Sequence, residues 1–146
     1  TLRKNNPRLK WINETMVNVA RYGGTALLMD MNMPVIVSPS FLEKMKSNAL
    51  NPSNYKGLEK NSGIFKLMQG SLTANWDIDW SKIEVPVLVM TGHHDKVFRI
   101  PDDIDQISNS MKNVQRLEFT DCGHLIPLEK PIEFATHLNT FVKNLT

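Results

Sequence analysis

At 146 residues, with 41% hydrophobic and 22% charged side chains, 7 Gly and 8 Pro, the chain has an ordinary globular make-up, which excludes disordered, collagen-like and disulfide-framework proteins. Lys and Arg number 17 against 15 Asp and Glu, and apart from a small excess at Arg3, Lys4, Arg8 and Lys10 the basic residues are scattered. No footprint for a nucleic acid or an anionic membrane stands out. The length suits one domain or a large piece of one. The single cysteine, Cys122, excludes an internal disulfide and fits a reducing compartment, so a cytoplasmic location is expected. No run approaches the roughly 18 apolar residues of a membrane-spanning helix, and Thr1 to Lys10 is too polar for a signal peptide. The chain begins at Thr1 without an initiator Met, which reads as a piece of a longer gene product.

The character changes near Trp80. Before it, the pattern is helical and Met-rich. Trp11, Ile12, Met16, Val19 and Ala20 recur at helical spacing, so residues 7–22 are expected to form an amphipathic helix stopped by Gly23-Gly24. Residues 25–31 are apolar at nearly every position, with Pro34 closing the run. Ser40 reads as the N-cap of a helix over 41–48, with Glu43 completing a capping box. Asn51-Pro52-Ser53-Asn54 is a turn or a helix start, and residues 64–74 form a further short helix. The methionines Met16, Met29, Met31, Met33, Met45 and Met68 suit either ordinary core filling or an adaptable lining for a ligand cavity.

After Trp80, strands and helices alternate. Val85 to Thr91 is a near-continuous β-branched run, the mark of a strand covered on both faces, and it ends at Gly92. A loop over 93–100 leads to Pro101, which opens a helix with an Ile104, Ile107 and Met111 stripe. Val114 to Phe119 alternates as a second strand, with Leu117 and Phe119 on one face. A turn follows over 120–124. Pro131 then opens a helix whose Ile132, Ala135, Leu138, Phe141, Val142 and Leu145 share a face. Strand, helix, strand, helix at this spacing implies a βαβ unit with a parallel sheet.

Reacting groups in open parallel sheets gather beyond the carboxyl ends of the strands. Asp95 lies four residues after Thr91, and His124 five after Phe119. Neighbouring parallel strands end on one edge, so the two side chains can come within hydrogen-bonding reach. An Asp that orients an imidazole and a His that shuttles a proton are two parts of a nucleophile, base and orienter constellation. Other titratable residues have plainer readings. His93 and His94 are solvated loop residues, since adjacent histidines without a helix-spaced partner make a weak metal site. His137 is a boundary side chain, and Cys122 a small buried apolar group rather than a nucleophile paired with His124. Asp102 and Asp103 favour the macrodipole at a helix start. Glu129, before Pro131, is a helix-entry residue, and Trp76 and Trp80 pack the join between the two parts.

The segment Ile83-Glu84-Val85-Pro86-Val87-Leu88-Val89-Met90-Thr91-Gly92-His93-His94-Asp95 resembles the α/β-hydrolase strand in which I-x-V-P-x-L-V runs into G-x-x-D. Likewise, Gly123-His124-Leu125-Ile126-Pro127-Leu128-Glu129-Lys130-Pro131 is similar to that superfamily's closing G-H-x-x-x-x-E-x-P segment. The two motifs stand in the right order and spacing. The resemblance implies an α/β fold, specifically the C-terminal part of an α/β-hydrolase: residues 1–79 as a helical cap and 80–146 as the C-terminal core segment. The cap is similar to those of small esterases, enol-lactonases and carbon–carbon bond hydrolases. Asp95 is then the triad acid and His124 the general base, with Val97, Phe98 and Leu125 lining an acyl pocket.

No Gly-x-Ser-x-Gly elbow surrounds Ser38, Ser40, Ser47, Ser53, Ser62 or Ser71, so the implied nucleophile lies upstream of this chain. The expectation is a hydrolase of a carboxylic ester, lactone or related acyl compound, needing no cofactor or metal and inactive as this chain alone. Its partners would be that small-molecule substrate and the missing N-terminal half or a second copy, as in a homodimer. The alternative is a noncatalytic binding or assembly piece that pairs with another chain.

Overall fold

A computed structural model describes residues 4–145. The chain divides into two compact units, one of residues 4–34 and 42–77, the other of residues 35–41 and 78–145.

The first unit is helical. Asn6 accepts the Leu9 N–H at 2.8 Å and starts α1 (Pro7–Ile36), with Pro7 in the first turn where its missing N–H costs nothing. The buried face of α1 carries Leu9, Val17, Ala20 and Met33, whereas Trp11, expected on that face, is 77% exposed. The expected stop at Gly23-Gly24 is a break within one long element. Gly24 takes φ 73°, ψ −171°, a conformation essentially confined to glycine, and the helix resumes at once. The Ala20 carbonyl, in the turn before the break, accepts the Leu58 N–H at 3.1 Å. A side chain at Gly24 would begin 1.9 Å from the Lys56 carbonyl oxygen, so the 56–58 segment can lie here only because position 24 is bare. Pro34 does not close the helix. It sits near the end, where one lost main-chain hydrogen bond is tolerated, and α1 runs on to Ile36.

The expected Ser40–Glu43 capping box is not formed. The helix is α2 (Pro39–Met45), and Ser38 stands before it, with its Oγ 3.4 Å from the Phe41 N–H. Glu43 lies instead 4.0 Å from Lys46 on the surface. Ser62 caps α3 (Gly63–Thr73), accepting the Phe65 N–H at 3.3 Å, and Phe65 is its buried residue. Within this unit Met29, Met33 and Met45, with Ala26 and Leu42, line a cavity of about 550 Å³. Beside it Asp30 Oδ2 accepts both the Tyr55 hydroxyl at 2.8 Å and the Leu50 N–H at 2.9 Å, holding Leu50 at φ 59°. The hydrogen bond to Asp30 raises the Tyr55 phenol above its ordinary pKa.

The second unit holds a parallel pair, β1 (Val87–Gly92) and β2 (Val114–Phe119), in register from Val87 opposite Val114 to Gly92 opposite Phe119. Helix α4 (Pro101–Ser110) joins them. On one face Val89 packs with Ile104, Ile107 and Met111, and with the half-buried Trp80, Ile83, Val87 and Val114. On the other, Phe119, Cys122 and Ile126 pack with Met90, Leu117 and Phe134. The sheet is therefore flanked on both faces, as the β-branched run requires. Strand β1 starts two residues later than expected, and Val85 is 66% exposed. Two helices finish the chain, α5 (Ile126–Glu129) and α6 (Pro131–Lys143). The expected apolar stripe of α6 is largely uncovered among the described residues: Ile132 is 81% exposed, and Val142 and Leu145 about half exposed. No helix among the described residues is long and apolar enough to cross a membrane.

Gly24→Ala forces a side chain into the Lys56 carbonyl and should lower stability by roughly 3 kcal/mol or more in chemical denaturation. Gly70→Ala, in α3 with open space around it, should instead raise stability by about 0.5–1 kcal/mol. Equal effects of the two substitutions would contradict the packing described at Gly24.

Candidate active site

The two loops that leave the carboxyl ends of β1 and β2 are pressed together. A Cβ on Gly92 would sit 2.1 Å from the Gly123 carbonyl oxygen. The pairing continues past the strands, with His93 N–H donating to the Phe119 carbonyl and His94 N–H to the Cys122 carbonyl, both at 2.9 Å. Asp95 then falls into a tight turn, its own N–H 3.2 Å from the Gly92 carbonyl. Its carboxylate is buried, and each oxygen has a separate task. Oδ1 accepts the Val97 and Phe98 N–H groups at 3.1 and 2.8 Å, while Oδ2 lies 2.8 Å from His124 Nδ1. The first pair of bonds locks the carboxylate, so the second is aimed.

His124 is held from the main chain as well. Its N–H donates to the Ile36 carbonyl at 2.5 Å, and the neighbouring Lys96 N–H to the Val35 carbonyl at 2.8 Å. Residues 35–38 thus run as a strap alongside both loops. The Phe98 ring stands 4.7 Å from the imidazole at a 41° tilt. About a third of the His124 side chain is exposed, and a cavity of about 170 Å³ beside it is lined by Asp95, His124, Phe98, Thr91 and Arg99 among others. Thr91 Oγ1 and Arg99 Nε are buried there without a hydrogen-bond partner. Of the three expected pocket residues, Phe98 lines this cavity. Val97 is buried away from it, and Leu125 stands at the start of α5.

Of the remaining candidates, His93 has a side-chain partner, while Asp103 Oδ2 is buried without one. His93 Nε2 meets Glu118 at 2.8 Å, in a surface network where Arg116 bridges Glu118 and Asp105, and Arg99 reaches Glu118 at 3.3 Å. The His93 hydrogen bond, then the nearby Arg99 charge, hold the Glu118 carboxyl below its ordinary pKa. Among the described residues no three His, Cys, Asp or Glu side chains are grouped to hold a metal ion. His137 is exposed, edge-on to Phe119 at 6.0 Å. Cys122 is wholly buried, and burial first, then the charge of Glu129, push its thiol up to about 12.

Glu129 departs from the sequence reading. Rather than serving as a helix-entry residue, it places its carboxylate between two main-chain donors, Gly123 N–H at 3.0 Å on Oε1 and Ser38 N–H at 2.8 Å on Oε2. Ser38 lies 91 positions away in the chain, so no local pattern could signal the contact.

A parallel βαβ unit with helices on both faces of its sheet thus carries a hydrogen-bonded Asp–His pair at the strand ends. No protein-family profile and no curated protein sequence matches the chain. Solved structures do. A thermophilic esterase from Thermogutta terrifontis superposes with a TM-score of 0.73 at 18% identity, over 99% of this chain and 53% of that one. The enol-lactonase from Burkholderia xenovorans LB400 gives 0.71 at 18% identity, over 91% and 50%. MGS-M2, an α/β hydrolase enzyme from a Medee basin deep-sea metagenome library, gives 0.76 at 21% identity, over 98% and 54%. The chain thus has the fold of the C-terminal portion of an α/β-hydrolase, and it spans about half the length of the structures it matches.

With a raised pKa of about 12, the Cys122 thiol stays protonated through neutral pH. A disulfide reagent at pH 8 should leave the native protein unmodified and label one thiol per chain once denaturant is added. Rapid labelling of the native protein would contradict the burial of Cys122.

Proposed function

We propose that this chain belongs to a hydrolase that cleaves a carboxylic ester, lactone or related acyl substrate through a Ser–His–Asp type triad, with the nucleophile supplied upstream of residue 1. The observation that carries this reading is the 2.8 Å contact between the buried Asp95 carboxylate and His124 Nδ1, beside a small cavity. Asp95 holds the proton on Nδ1, so Nε2 keeps its lone pair. That nitrogen takes the proton of the attacking hydroxyl, returns it to the leaving group, and then activates water against the acyl intermediate. The ionised Asp95 stabilises the imidazolium that forms in each step. Phe98 borders the acyl pocket. In this reading residues 1–79 serve as the helical cap, 80–146 close the catalytic core, and the protein works in the cytoplasm. The nearness of an esterase and an enol-lactonase in fold favours acyl chemistry.

Two observations favour a second reading, in which the chain is a binding or assembly piece. Strand β1 is paired along one edge only among the described residues, and the apolar stripe of α6 is exposed. An open strand edge and an uncovered apolar face invite a partner. In the first reading that partner is the upstream half of the same fold; in the second it is another chain or a second copy.

In the protein that joins this chain to its upstream half, His124→Ala should lower kcat/KM for short-chain aryl esters by about four orders of magnitude. Unchanged turnover removes His124 from the chemistry. Light scattering on the 146-residue chain addresses the second reading: a defined dimer supports assembly with a second copy, and a stable monomer contradicts it.

A further inference from the structure

We infer that Glu129 is the positioning residue of the Asp95–His124 pair, acting through main-chain atoms to set where the imidazole stands. This rests on the reading of Asp95 and His124 as a working pair and adds a component to it.

The turn that carries His124 is tied on its Asp121 side by the ion pair to Lys130 and by the His94 N–H on the Cys122 carbonyl. Its Gly123–His124 end is fixed by contact with residues 35–38, and that contact has two parts. His124 N–H donates to the Ile36 carbonyl, and Glu129 bridges the rest, with one carboxylate oxygen on the Gly123 N–H and the other on the Ser38 N–H. Gly123 sits so close to the strap that a Cβ there would lie 2.1 Å from the Ile36 carbonyl oxygen. The same strap accepts the Lys96 N–H at Val35, one residue beyond Asp95. Both halves of the pair are therefore referenced to one stretch of backbone, and Glu129 supplies the ionic fastening on the His124 side.

A carboxylate is the group this geometry demands. Two N–H donors converge on it from segments far apart in sequence, and an ionised carboxylate offers acceptors on both oxygens. An amide of the same shape has one acceptor and one NH₂ group, so it must face one of the two N–H donors with another donor. The 31% exposure of the His124 side chain makes this consequential, because little packing on its open side would hold the ring if the turn shifted.

The test is nitrogen-15 and proton NMR of the 146-residue chain, observing the His124 Nδ1–H proton, whose low-field position and slow exchange report the bond to Asp95. Asp95→Asn supplies the reference for its loss. Glu129→Gln should speed exchange of that proton with water on the order of ten- to a hundredfold, the factor associated with a lost charge-assisted hydrogen bond, or abolish the signal. The Ser38 and Gly123 amides should lose protection in parallel. If Glu129→Gln lowers the melting temperature while the Nδ1–H signal keeps its position and exchange rate, Glu129 is merely structural and the inference fails. A wild-type spectrum without the signal, unchanged by Asp95→Asn, overturns the Asp–His reading itself and the inference with it. Should Glu129→Gln not fold, exchange in the wild-type chain under mild denaturant decides. Ser38, Gly123 and His124 Nδ1–H opening together support the inference, and Nδ1–H opening independently of the two amides overturns it.

Discussion

Everything at the strand ends depends on how closely two parallel strands can be continued after their regular hydrogen bonding stops. The pairing of β1 and β2 is carried onward by His93 and His94 donating to the carbonyls of Phe119 and Cys122. That approach is possible only because Gly92 is bare; a single Cβ there would sit 2.1 Å from the facing Gly123 carbonyl oxygen. With the loops at that separation, the Asp95 carboxylate and the His124 ring meet without either side chain having to reach. The turn at Asp95 then spends one oxygen on its own backbone and leaves the other for the imidazole.

The parts of the fold legible in the sequence were those governed by local periodicity. The β-branched run expected over Val85 to Thr91, which forms a strand from Val87 on, the Ile104–Ile107–Met111 stripe and the Leu117–Phe119 alternation each pack on the expected side. The Asp–His proximity was legible too, because strand order and loop length alone bring those positions to one edge. What was not legible follows from contacts at a distance. Gly24 breaks α1 without ending it because the 56–58 segment lies against the gap, and that segment is invisible from position 24. The stripe on α6 was correctly apolar, but which surface covers it is a tertiary matter, and among the described residues little does.

The helical unit shows a different economy. Three methionines and several small or branched residues surround a cavity of about 550 Å³, and one carboxylate, Asp30, ties the Tyr55 hydroxyl and the Leu50 amide together beside it. The sequence reading left open whether the methionines fill a core or line a cavity. Met33 does both, being buried and lining the space, while Met31 stands half exposed on the surface. Thioether side chains suit such a wall because they change rotamer at small cost.

The strap at residues 35–38 meets the two loops through carbonyl oxygens and an amide, not through side chains. Its hydrogen bonds are therefore made by backbone atoms whatever the side chains, while the buried Ile36 and Val37 hold the stretch in place by packing. Sequence drift in that stretch can run among apolar side chains that fit the same space without changing which main-chain atoms meet the two loops. The burden of identity falls instead on Gly123 and Glu129, the two positions where the contact does depend on a side chain or on its absence.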